Sequence, residues 1–573
     1  MIFRNVLATV YLRHLSRSTK DIVPRNEDRL VMYDPEPKPL PNPKKLLHSL
    51  RTVRKRSLEE IRNIHKFIEA GEVSSDLFEK LPLRCHGCGS FFHNDPSLNH
   101  GYLRDELFER LNRGVTSVNQ LRCKSCFDQI NHSKPLPMFM GRNLYRSTMS
   151  FVTRRPCLVI YVIDVTDMYG SIADDLVDLL GFNKRVILVF NKIDLLPQDG
   201  CHLHAMKHVT MCSKLLIERH PSFIGLKILD YVLTSFEKRV GLSELIHSII
   251  KHYLTDQNLV IMGGCNAGKS TLFNIFQNLM SHQQFEGLPS ASTVSQFPGT
   301  TSNLIRFPIT SKFISSLGKW FTQESSEIQS PETFTIDPVI FEDLKLDKFT
   351  ANRMEEAQKE RIFNINKISR YHLSNALYIP TCSINKQRWL YDTPSTVTKN
   401  QIWNRLNTAE MKVLLFSCPI HPRTFKIPQH YSICIADLCR IDVVSVTEVT
   451  CPISNEQKTT RVILSVFTEH QVPTFTCPTS GMETRLEMLS RHKKLRVPEK
   501  PDSKLTDYKP VELDLSGVNI KRCASDICIP SIGWIGVACA PHVRVKLKIW
   551  TRGQEISIRT PALIQQLIMC KGT

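Results

Sequence analysis

Gly263-Gly264-Cys265-Asn266-Ala267-Gly268-Lys269-Ser270 follows the apolar run Leu259 to Met262 and leads into a helical pattern, Ser270 to Met280. A glycine-rich loop that ends in Gly-Lys-Ser, between a strand and a helix, is typical of a P-loop. The alternative is an ordinary Gly-rich turn before a helix. The strand before the loop and the helix after it favour the P-loop.

The predicted P-loop offers both donors and charge to a nucleotide phosphate. Backbone N–H groups of residues 264 to 270 would bond to the β-phosphate at a helix N-terminus, where the peptide dipoles favour an anion. Lys269 would contact the β- and γ-phosphates, and the Ser270 hydroxyl would bind Mg²⁺. The loop residues that we expect to bind nucleotide are Gly264, Cys265, Asn266, Ala267, Gly268, Lys269, Ser270 and Thr271.

A second motif, Asn191-Lys192-Ile193-Asp194, ends the apolar run Val186 to Phe190. Asp194 offers two acceptor oxygens to the two donors on the Watson–Crick edge of guanine, whereas adenine presents the wrong groups. The Asn191 amide can bond the other edge of the base, and the Lys192 stem can lie over the ring. A strand-ending turn is the alternative interpretation, but a P-loop in the same chain favours GTP as the ligand.

The two motifs stand in the reverse of the usual order, because the guanine-reading motif precedes the P-loop. The sequence therefore predicts a GTPase domain that is circularly permuted. Permutation is tolerable where the natural termini of a domain lie close together and the new break falls in a surface loop. The second switch would then lead directly into the C-terminal region, so that contacts with the γ-phosphate could bias how that region is held.

Three further segments complete the predicted site. A base-supporting loop is matched by Thr234 and Ser235, which follow the strand-like run Ile228 to Leu233. This match is the loosest of the three. Pro298-Gly299-Thr300-Thr301 matches a first switch, and Trp389 to Pro394 matches the strand that enters a second switch. The predicted Mg²⁺ ligands are Ser270, Thr301 and, through water, Asp392. The predicted catalytic residues are Lys269, Thr301 and Asp392.

Two positions depart from the pattern of a fast GTPase. Ser395 replaces the glycine expected after Asp-Thr-Pro, and a side chain there hinders the approach of the backbone N–H to the γ-phosphate. Thr396 stands where signalling GTPases place a water-orienting glutamine, so we expect slow intrinsic hydrolysis. Asn266 holds the P-loop position that helps to coordinate a monovalent cation in potassium-activated GTPases, which predicts stimulation by K⁺.

Short apolar runs alternate with helical segments from residue 155 onward. Leu158 to Ile163, Val186 to Phe190 and Leu259 to Met262 are almost wholly apolar, as strands buried on both faces of a parallel sheet are. The predicted helices between them are Ser171 to Leu180, His204 to Arg219 and Leu242 to Tyr253. The alternation predicts an α/β fold with helices on both sides of the sheet and the ligand at the carboxyl ends of the strands.

Cys85-x-x-Cys88 and Cys123-x-x-Cys126 form two pairs separated by 34 residues. Four thiolates suit tetrahedral Zn²⁺, and each turn directs two sulfurs to one point. The residues between the pairs have room for a helix, Leu103 to Leu111. Unligated cysteines or a redox role are the alternatives, although no thioredoxin-like pattern surrounds either pair. The nearby histidines that we interpret as surface residues rather than ligands are His86, His93 and His132.

The composition and net charge indicate which class of partner the protein binds. Of 573 residues, 42% are apolar and 23% charged, which are ordinary globular values, and the length suggests several domains. The net charge of +19 favours a polyanionic partner, because neutralised phosphates release counterions; a merely soluble basic protein is the alternative. No apolar run of about 18 residues is present, so no transmembrane helix is predicted.

The N-terminal region has the composition of a targeting segment. Met1 to Lys20 contains basic, hydroxyl and apolar residues at helix-like spacing but no acid, which is typical of a mitochondrial presequence. In the mitochondrial matrix or cytosol thiols stay reduced, so we expect zinc rather than disulfides. Asp34 to Pro43 is Pro-rich and reads as an extended linker. Lys44 to Lys66 is basic, either a solvated helix face or an RNA-facing arm.

The C-terminal part differs from the rest. About Lys312 to Gln387 is polar and irregular, as in a family-specific insertion, and short alternating strands follow from Val413. In Val543 to Trp550 the aliphatic residues alternate with Arg544, Lys546 and Lys548. The basic residues share a strand face with Trp550, which suits RNA backbone and base stacking, although a solvated strand is an equal alternative.

These patterns divide the chain into successive parts. The predicted parts are a presequence (1–25), a Pro-rich and basic linker (26–80), a zinc-binding module (81–135), a circularly permuted P-loop GTPase domain (140–405, with the insertion at about 312–387) and a C-terminal β-rich domain (410–573).

In combination, the motifs resemble the nitric oxide-associated protein family, mitochondrial relatives of the bacterial YqeH ribosome-assembly GTPases. The resemblance rests on the two cysteine pairs, the Asn-Lys-Ile-Asp motif before the P-loop, Pro-Gly-Thr-Thr and Leu-Tyr-Asp-Thr-Pro. It also includes His421-Pro422-Arg423-Thr424-Phe425, Cys439-Arg440-Ile441-Asp442 and Ile532-Gly533-Trp534-Ile535. It implies a treble-clef-like zinc module, a permuted GTPase domain and an RNA-binding-like β domain, with GTP, Mg²⁺ and Zn²⁺ as cofactors.

The resemblance further implies assembly of the mitochondrial small ribosomal subunit and mitochondrial translation, with ribosomal RNA as partner and the matrix as location. A peripheral association with the inner membrane and the oligomeric state are left open. A GTP-binding RNA scaffold with negligible hydrolysis is the alternative that Ser395 favours. A signalling switch with protein effectors is disfavoured by the motif order and the basic charge. The sequence has no haem, flavin or nicotinamide motif that would support synthesis of nitric oxide.

Overall fold

The computed structural model describes residues 84–96, 100–112, 121–132, 142–197, 202–254, 257–281, 292–295, 297–309, 317–318, 388–394, 398, 401–448, 461–499, 505 and 507–567. These residues belong to one compact unit, Arg62–Thr573. The predicted presequence, the predicted linker, Ser395, Thr396 and nearly all of the predicted insertion lie outside the described residues.

The N-terminal described residues form a small module around four cysteines. Isolated bridges pair Arg84 with Phe91 and His93 with Tyr102. Two helices follow, α1 (Asp105–Asn112) and α2 (Lys124–His132). The apolar residues that pack with the cysteines are Phe92, Leu103, Leu111 and Leu121. A core of this size buries little apolar area, which is typical of a module that a metal stabilises.

A six-stranded sheet forms the centre of the molecule. Its elements, in chain order, are α3 (Arg142–Arg154), β1 (Cys157–Asp164), α4 (Leu176–Leu180), β2 (Arg185–Asn191), α5 (His202–Arg219), β3 (Lys227–Leu233), α6 (Leu242–His252), β4 (Asn258–Gly263), α7 (Lys269–Ser281), β5 (Ile305–Ile309) and β6 (Arg388–Asp392). The strand order is β3-β2-β1-β4-β6-β5. All neighbours are parallel except β5 and β6, so the parallel sheet that we predicted carries an antiparallel edge strand.

The central strands are buried on both faces, as their apolar sequences predicted. Along β1, Val159, Tyr161 and Ile163 pack in one apolar cluster, and the alternate residues pack in the other. Because successive side chains point to opposite faces, both faces must be covered. The helices around the sheet provide this cover.

One predicted helix is shorter in the structure. Residues 171–175 form a turn, and α4 begins only at Leu176. The Ser171 hydroxyl accepts a hydrogen bond from the Asp164 amide at 3.2 Å, and the Ser171 amide donates to the Asp167 carbonyl at 3.0 Å. These bonds hold Ser171 against the end of β1, so the chain cannot enter the helix there.

Two five-stranded sheets form the C-terminal part. The elements are α8 (Thr408–Leu414), β7 (Arg423–Ile427), β8 (Tyr431–Ile435), β9 (Cys439–Glu448), β10 (Val462–Thr468), β11 (Thr474–Pro478), α9 (Met482–Arg491), β12 (Lys509–Ser516), β13 (Ser525–Ile529), β14 (Gly533–Ala538), β15 (Val543–Thr551) and β16 (Ser557–Arg559). The sheet orders are β16-β13-β14-β10-β7 and β11-β8-β9-β15-β12, with antiparallel neighbours. Both sheets contribute to one apolar cluster.

The C-terminal sheets also share a core with the central sheet. Phe467 and Trp534 stack with their ring centroids 4.9 Å apart and belong to the same apolar cluster as Val159 and Leu176. The β-rich region that we expected as a separate domain therefore packs directly on the α/β part. Within the described ranges, no helix combines the length and apolar character needed to cross a membrane.

Asp167, just after β1, links the two parts through hydrogen bonds. Its side chain accepts from the Gln401 side-chain amide at 3.0 Å, from the Ser531 amide at 3.1 Å and from the Gly170 amide at 3.1 Å. Burial raises the pKa of Asp167 to about 6, although these donors oppose the rise. The contact between the central sheet and the C-terminal part thus contains a carboxyl group that titrates within an accessible pH range.

We expect Asp167→Asn to remove a pH-dependent part of the stability. A carboxyl whose pKa is raised by folding binds its proton more tightly in the folded state, so its contribution is present at about pH 4 and below. The contribution is lost as the pH rises through about 6, where Asp167 ionises. The full loss is at most about 3 kcal/mol, at about 1.4 kcal/mol per pKa unit.

Chemical unfolding from about pH 4 to about pH 7 measures this difference. The stability of the wild type relative to Asp167→Asn should fall across that range. Asp514→Asn, which changes an exposed carboxyl group on β12, is the matched control and should keep the wild-type pH profile. Parallel profiles for the wild type and Asp167→Asn would contradict the role of Asp167.

Candidate functional site

The loop between β4 and α7 has a backbone that only glycine permits at two positions. Gly263 has φ +147°, and a Cβ there would lie 2.1 Å from the Val162 carbonyl oxygen. Gly268 has φ +100°, and a Cβ there would lie 2.4 Å from the side-chain nitrogen of Asn191. The loop therefore packs against the ends of β1 and β2, and α7 begins at Lys269 immediately after it.

Lys269 lies buried inside this loop. Its ammonium group donates to the carbonyl oxygens of Gly264 at 2.7 Å and Gly263 at 3.2 Å. Burial lowers the pKa of Lys269, while Cys265 and Asp392 oppose the shift. The loop thus holds a cation among its own backbone groups at the N-terminus of a helix, an arrangement suited to an anionic ligand.

Three oxygen-bearing side chains from distant segments meet beside the start of α7. The Ser270 hydroxyl donates to Asp392 Oδ2 at 2.7 Å and lies 3.0 Å from the Thr301 hydroxyl. Thr301 in turn lies 3.5 Å from the same Asp392 oxygen. The sequence predicted this set as Mg²⁺ ligands, and the structure brings all three together.

Asp392 shows that this cluster fits a divalent cation. The residue is fully buried at the end of β6, and burial raises its pKa to about 6. Its second carboxylate oxygen, Oδ1, is buried without a hydrogen-bond partner among the described residues. A buried carboxylate with one uncompensated oxygen is costly unless a cation is nearby, and hydroxyl and carboxylate oxygens are the ligands that Mg²⁺ prefers.

Asn191 connects the end of β2 to two other loops. Its side-chain NH₂ donates to the Ala267 carbonyl at 2.8 Å. Its side-chain oxygen accepts from the Phe236 amide at 3.1 Å and from the Thr234 hydroxyl at 3.4 Å. From the sequence we expected this amide to bond a base edge. In the structure both polar atoms of the side chain bond to protein groups, because a side chain as buried as Asn191 must satisfy them there.

The other residues of the Asn-Lys-Ile-Asp motif are less buried than Asn191. Lys192 has φ +71°, and its ammonium group pairs with Asp164 at a distance of 2.6 Å. Asp194 lies half-buried in the 3-10 turn Ile193–Leu195. Asp164 is a contact that sequence reasoning missed, since nothing in the sequence pairs the end of β1 with Lys192.

Thr234 and Ser235 were the weakest match in the sequence, and the structure places both beside Asn191. Both residues are buried, and Ser235 exchanges two backbone hydrogen bonds with Val240, at 2.9 and 3.0 Å. The Ser235 hydroxyl also accepts from the Lys238 amide at 3.1 Å. The residues between Phe236 and Gly241 thus form a tight turn.

The C-terminal part covers one side of the loop. Cys265 is buried in the apolar cluster of the C-terminal sheets, together with Trp403 and Met411. Phe297, just before the predicted first switch, packs against the same cluster, and the Lys412 ammonium lies 5.9 Å from its ring centroid. A small cavity remains at this junction, lined by Lys192, Cys265, Asn266, Gln401, Trp403 and Ser531. Residues of both predicted nucleotide motifs therefore face one space.

The four cysteines of the N-terminal module converge as predicted. Their sulfur atoms lie within 4.8 Å of one another, with Cys85 and Cys126 3.8 Å apart and Cys88 and Cys123 3.6 Å apart. All four side chains are buried. The Cys123 amide donates to the Cys85 sulfur at 3.4 Å, as amides around a metal-bound thiolate do. The donor set and its spacing fit a tetrahedral Zn²⁺ ion.

Comparison with known proteins found relatives but no matching family model. Nitric oxide-associated protein 1 of Homo sapiens is 25% identical over 551 residues, which cover 86% of this chain and 76% of that protein. The Mus musculus protein of the same name is 24% identical over 84% of this chain and 75% of its own length. YqeH of Bacillus subtilis is 27% identical over 225 residues, which are 39% of this chain and 55% of YqeH.

The fold and the loop geometry define a P-loop protein of the α/β class with a four-cysteine centre. The chain is similar to nitric oxide-associated protein 1 over most of its length and to YqeH over a shorter part. These similarities confirm the resemblance that the sequence motifs indicated.

We expect Cys126→Ser to bind one zinc ion fewer than the wild type. An alcohol is a far weaker zinc ligand than a thiolate, so three cysteines should not retain the ion through purification. The melting temperature should fall as well, because the small core of the module depends on the metal.

Elemental analysis after gel filtration, with thermal unfolding beside it, tests this expectation. Cys477→Ser, a change on β11 far outside the cluster, is the control and should keep the wild-type zinc content. Equal zinc content in the wild type and Cys126→Ser would exclude the four-cysteine site.

Proposed function

We propose that this chain binds and hydrolyses GTP as a factor in assembly of the mitochondrial small ribosomal subunit and in mitochondrial translation. In this proposal, the nucleotide state controls docking on ribosomal RNA. The observation that carries the proposal is the contact between Asn191 and Ala267, which joins a guanine-type motif to a P-loop at one edge of the sheet. A relative in Arabidopsis thaliana, 24% identical over 31% of this chain, is named as a GTP-binding protein.

The proposed roles follow from the geometry. Lys269 and the loop amides would neutralise the β- and γ-phosphates. Ser270, Thr301 and Asp392 would hold Mg²⁺, which supplies charge stabilisation to the transferred phosphoryl group when bound. Lys192 and Asp194 would contact the base, with Asn191, Thr234 and Ser235 shaping the loops around it. These assignments place the phosphate, metal and base functions on neighbouring strand ends.

We also propose that the nucleotide domain is circularly permuted. The base motif ends β2 and the P-loop follows β4, so the chain visits them in the reverse of the usual order. β1 lies between β2 and β4 in a parallel arrangement, and therefore the carboxyl ends of all three strands meet at one edge. The site depends on this adjacency and not on the order of connection.

Slow intrinsic hydrolysis is part of the proposal, since Ser395 and Thr396 replace the residues of a fast second switch. Asn266 has φ +56° and lines the cavity beside Lys192, a position from which it could help to hold K⁺. Equal turnover in sodium and potassium buffers would contradict this role. A GTP-binding RNA scaffold with negligible hydrolysis is the second candidate, and Ser395 favours it.

An RNA-facing surface on β15 is partly supported. Arg544 and Lys546 are exposed while Val545 and Leu547 are buried, which supports the basic face, although Lys546 pairs with Glu512 on β12 at 3.1 Å. The ring of Trp550 is less available for stacking on a base than we expected. The Lys548 ammonium lies 4.5 Å from its centroid, and its indole N–H donates to Asp442 at 2.8 Å. We therefore propose phosphate contacts rather than base stacking for this face.

The mitochondrial location is proposed from two observations. The first 20 residues have the composition of a presequence, and a relative in Arabidopsis thaliana, 22% identical over 52% of this chain, is named as chloroplastic/mitochondrial. The proposed partners are ribosomal RNA and the small subunit, since the net charge of +19 favours a polyanion.

We expect Asp194→Asn to weaken GTP binding at least about tenfold and to gain affinity for xanthosine triphosphate. A carboxylate accepts from the guanine amino group, whereas an amide can donate to the carbonyl that xanthine carries at the same position. Losing a charge-assisted pair of hydrogen bonds costs about 1.5–3 kcal/mol, which corresponds to this factor. Displacement of a fluorescent GTP analogue by GTP, xanthosine triphosphate and ATP measures the change. Tight ATP binding by the wild type would refute the base assignment.

We expect the wild type to cosediment with mitochondrial small ribosomal subunits more strongly with a GTP analogue than with GDP. Lys269→Ala should lose this difference, because the variant lacks the cation that contacts the phosphates. Turnover measured with the subunits present separates the two candidates, since a GTPase should be stimulated well above its free rate. If cosedimentation is the same with the GTP analogue and with GDP, and the subunits do not stimulate GTP turnover, the scaffold is favoured instead.

A further inference from the structure

The first cysteine turn of the zinc module packs directly on the segment that carries Thr301. We call Cys85–Ser90 the first knuckle. The Cys88 carbonyl accepts hydrogen bonds from the amides of Ser302 and Asn303, both at 3.0 Å, and from the Ser302 hydroxyl, also at 3.0 Å. The Gly87 carbonyl accepts from the Thr293 amide at 2.9 Å. Two adjacent peptide groups of the knuckle thus bond to residues on either side of the predicted first switch.

Glycines in the knuckle make this approach possible. A Cβ at Gly87 would lie 2.3 Å from the Thr293 hydroxyl. Gly89 has φ +80°, and a Cβ there would lie 2.7 Å from the Asn303 carbonyl oxygen. Since the knuckle touches the Thr293 side chain at one position and the Asn303 backbone at the other, a change in the shape of the knuckle must displace these residues.

The knuckle also lies one residue from the cluster proposed to bind Mg²⁺. Ser302, held by Cys88, directly follows Thr301, whose hydroxyl lies 3.0 Å from Ser270 and 3.5 Å from Asp392. Cys85 and Cys88, whose sulfur atoms belong to the four-cysteine cluster, lie in the same turn as the peptide groups that hold the segment. A metal bound by these sulfurs would fix those peptide groups, and they in turn would fix Thr301.

We propose that the first knuckle is a positioning element for Thr301, so that zinc at the four cysteines and Mg²⁺ with nucleotide at the P-loop bind with positive coupling. This inference rests on the proposed function, because it needs a nucleotide that engages Thr301 through Mg²⁺. Coupling between two binding sites is reciprocal, and therefore nucleotide must slow the loss of zinc.

The rate of zinc release from the full chain to a chromogenic chelator tests the proposal. The relevant release phase is the one that Cys126→Ser lacks. With Mg²⁺ and β,γ-imido-GTP present, this phase should be at least about fivefold slower than without nucleotide. A purely structural zinc site, uncoupled from the nucleotide, would release zinc at the same rate in both conditions.

Two variants isolate the contact while keeping all four cysteines. Gly89→Ala should retain zinc but lose most of the protection by nucleotide, because the added Cβ collides with Asn303. Gly481→Ala is the matched control, since a Cβ there meets no atom within 4 Å. If Gly89→Ala does not fold, Ser302→Ala removes the hydroxyl bonds to Cys88 and to Ser90 instead and should reduce the protection.

Binding of a fluorescent GTP analogue, measured in parallel, distinguishes failure of the coupling from failure of the proposed function. If the analogue binds with Mg²⁺ and zinc release is unchanged, the coupling is refuted and the proposed function stands. If the analogue does not bind at all, both are refuted. If nucleotide protects zinc in Gly89→Ala and in Ser302→Ala as strongly as it does in the wild type, the role of the knuckle is also refuted.

A second, independent group of metal ligands lies where the C-terminal sheets begin. The Cys418 sulfur is 3.8 Å from His470 Nδ1, which also contacts Glu469 Oε1, and the three donor atoms lie within 4.8 Å of one another. Glu469 is only 2% exposed, whereas His470 is half-exposed. A buried carboxylate beside a thiol and an imidazole offers a cation the sulfur, nitrogen and oxygen ligands that Zn²⁺ accepts.

We propose that Cys418, Glu469 and His470 bind a Zn²⁺-class ion with one open coordination position. The site would fix the segment next to the base motif. The Ser417 amide donates to Glu469 Oε2 at 3.2 Å, and the Ile420 amide donates to the Leu195 carbonyl at 2.9 Å. Leu195 directly follows Asp194, so an ion at this site would hold the chain that contacts the turn of the base motif.

The zinc content of the full chain after equilibration with zinc and gel filtration tests this site. The wild type should hold one ion more than His470→Ala and one more than Cys418→Ala. His470→Cys, which restores a zinc ligand, should recover the lost ion, and His492→Ala, at the end of α9, should have no effect. Wild-type zinc content in both His470→Ala and Cys418→Ala would refute the site.

Discussion

The hydrogen bond from the Asn191 side chain to the Ala267 carbonyl oxygen, 2.8 Å long, is the contact on which the candidate site depends. It closes the loop after β4 against the end of β2, and it exists only because Gly268 has no side chain to occupy the same space. β1 lies between β2 and β4, so the carboxyl ends of these parallel strands stand together at one edge of the sheet. The order in which the chain visits the strands does not alter that edge. A permuted sequence can therefore build the same site as an unpermuted one.

Much of the fold follows from local sequence. The strands of the central sheet were predicted because β1, β2 and β4 are apolar on both faces, as strands buried in a parallel sheet are. The convergence of Ser270, Thr301 and Asp392 also followed from motifs, since each motif implies a fixed position around a phosphate and its metal. Contacts between distant segments did not follow. The inward direction of Asn191 and the early turn at Ser171 depend on burial depth and on partners far away in the chain, which periodicity does not encode.

The same limit explains why the modules look separable in the sequence but share cores in the structure. A change in composition marks the start of the β-rich region, yet nothing in that change reveals that Cys265 of the P-loop lies in its apolar cluster. Likewise, the spacing of the cysteines predicted four converging sulfurs, but it could not predict that the Cys88 carbonyl bonds to Ser302 and Asn303. Hydrogen bonds made by backbone groups leave no residue-specific signal. Glycines 87 and 89 were the available trace, because close backbone approach requires them.

The connection from β6 to the C-terminal sheets argues for direct mechanical coupling between the P-loop site and the β-rich region. After Asp392 the chain reaches Gln401, whose side chain bonds to Asp167, and the Ile402 amide bonds to the Ser531 hydroxyl at 3.2 Å. α8 follows at once, and its N-terminus is fixed by a capping box between Asn407 and Glu410. These bonds are buried or half-buried, and they hold Gln401 and Ile402 between the central sheet and the C-terminal part. Because packed interfaces move between discrete arrangements rather than deforming gradually, a change in the ligands of Asp392 should shift the C-terminal sheets as a body.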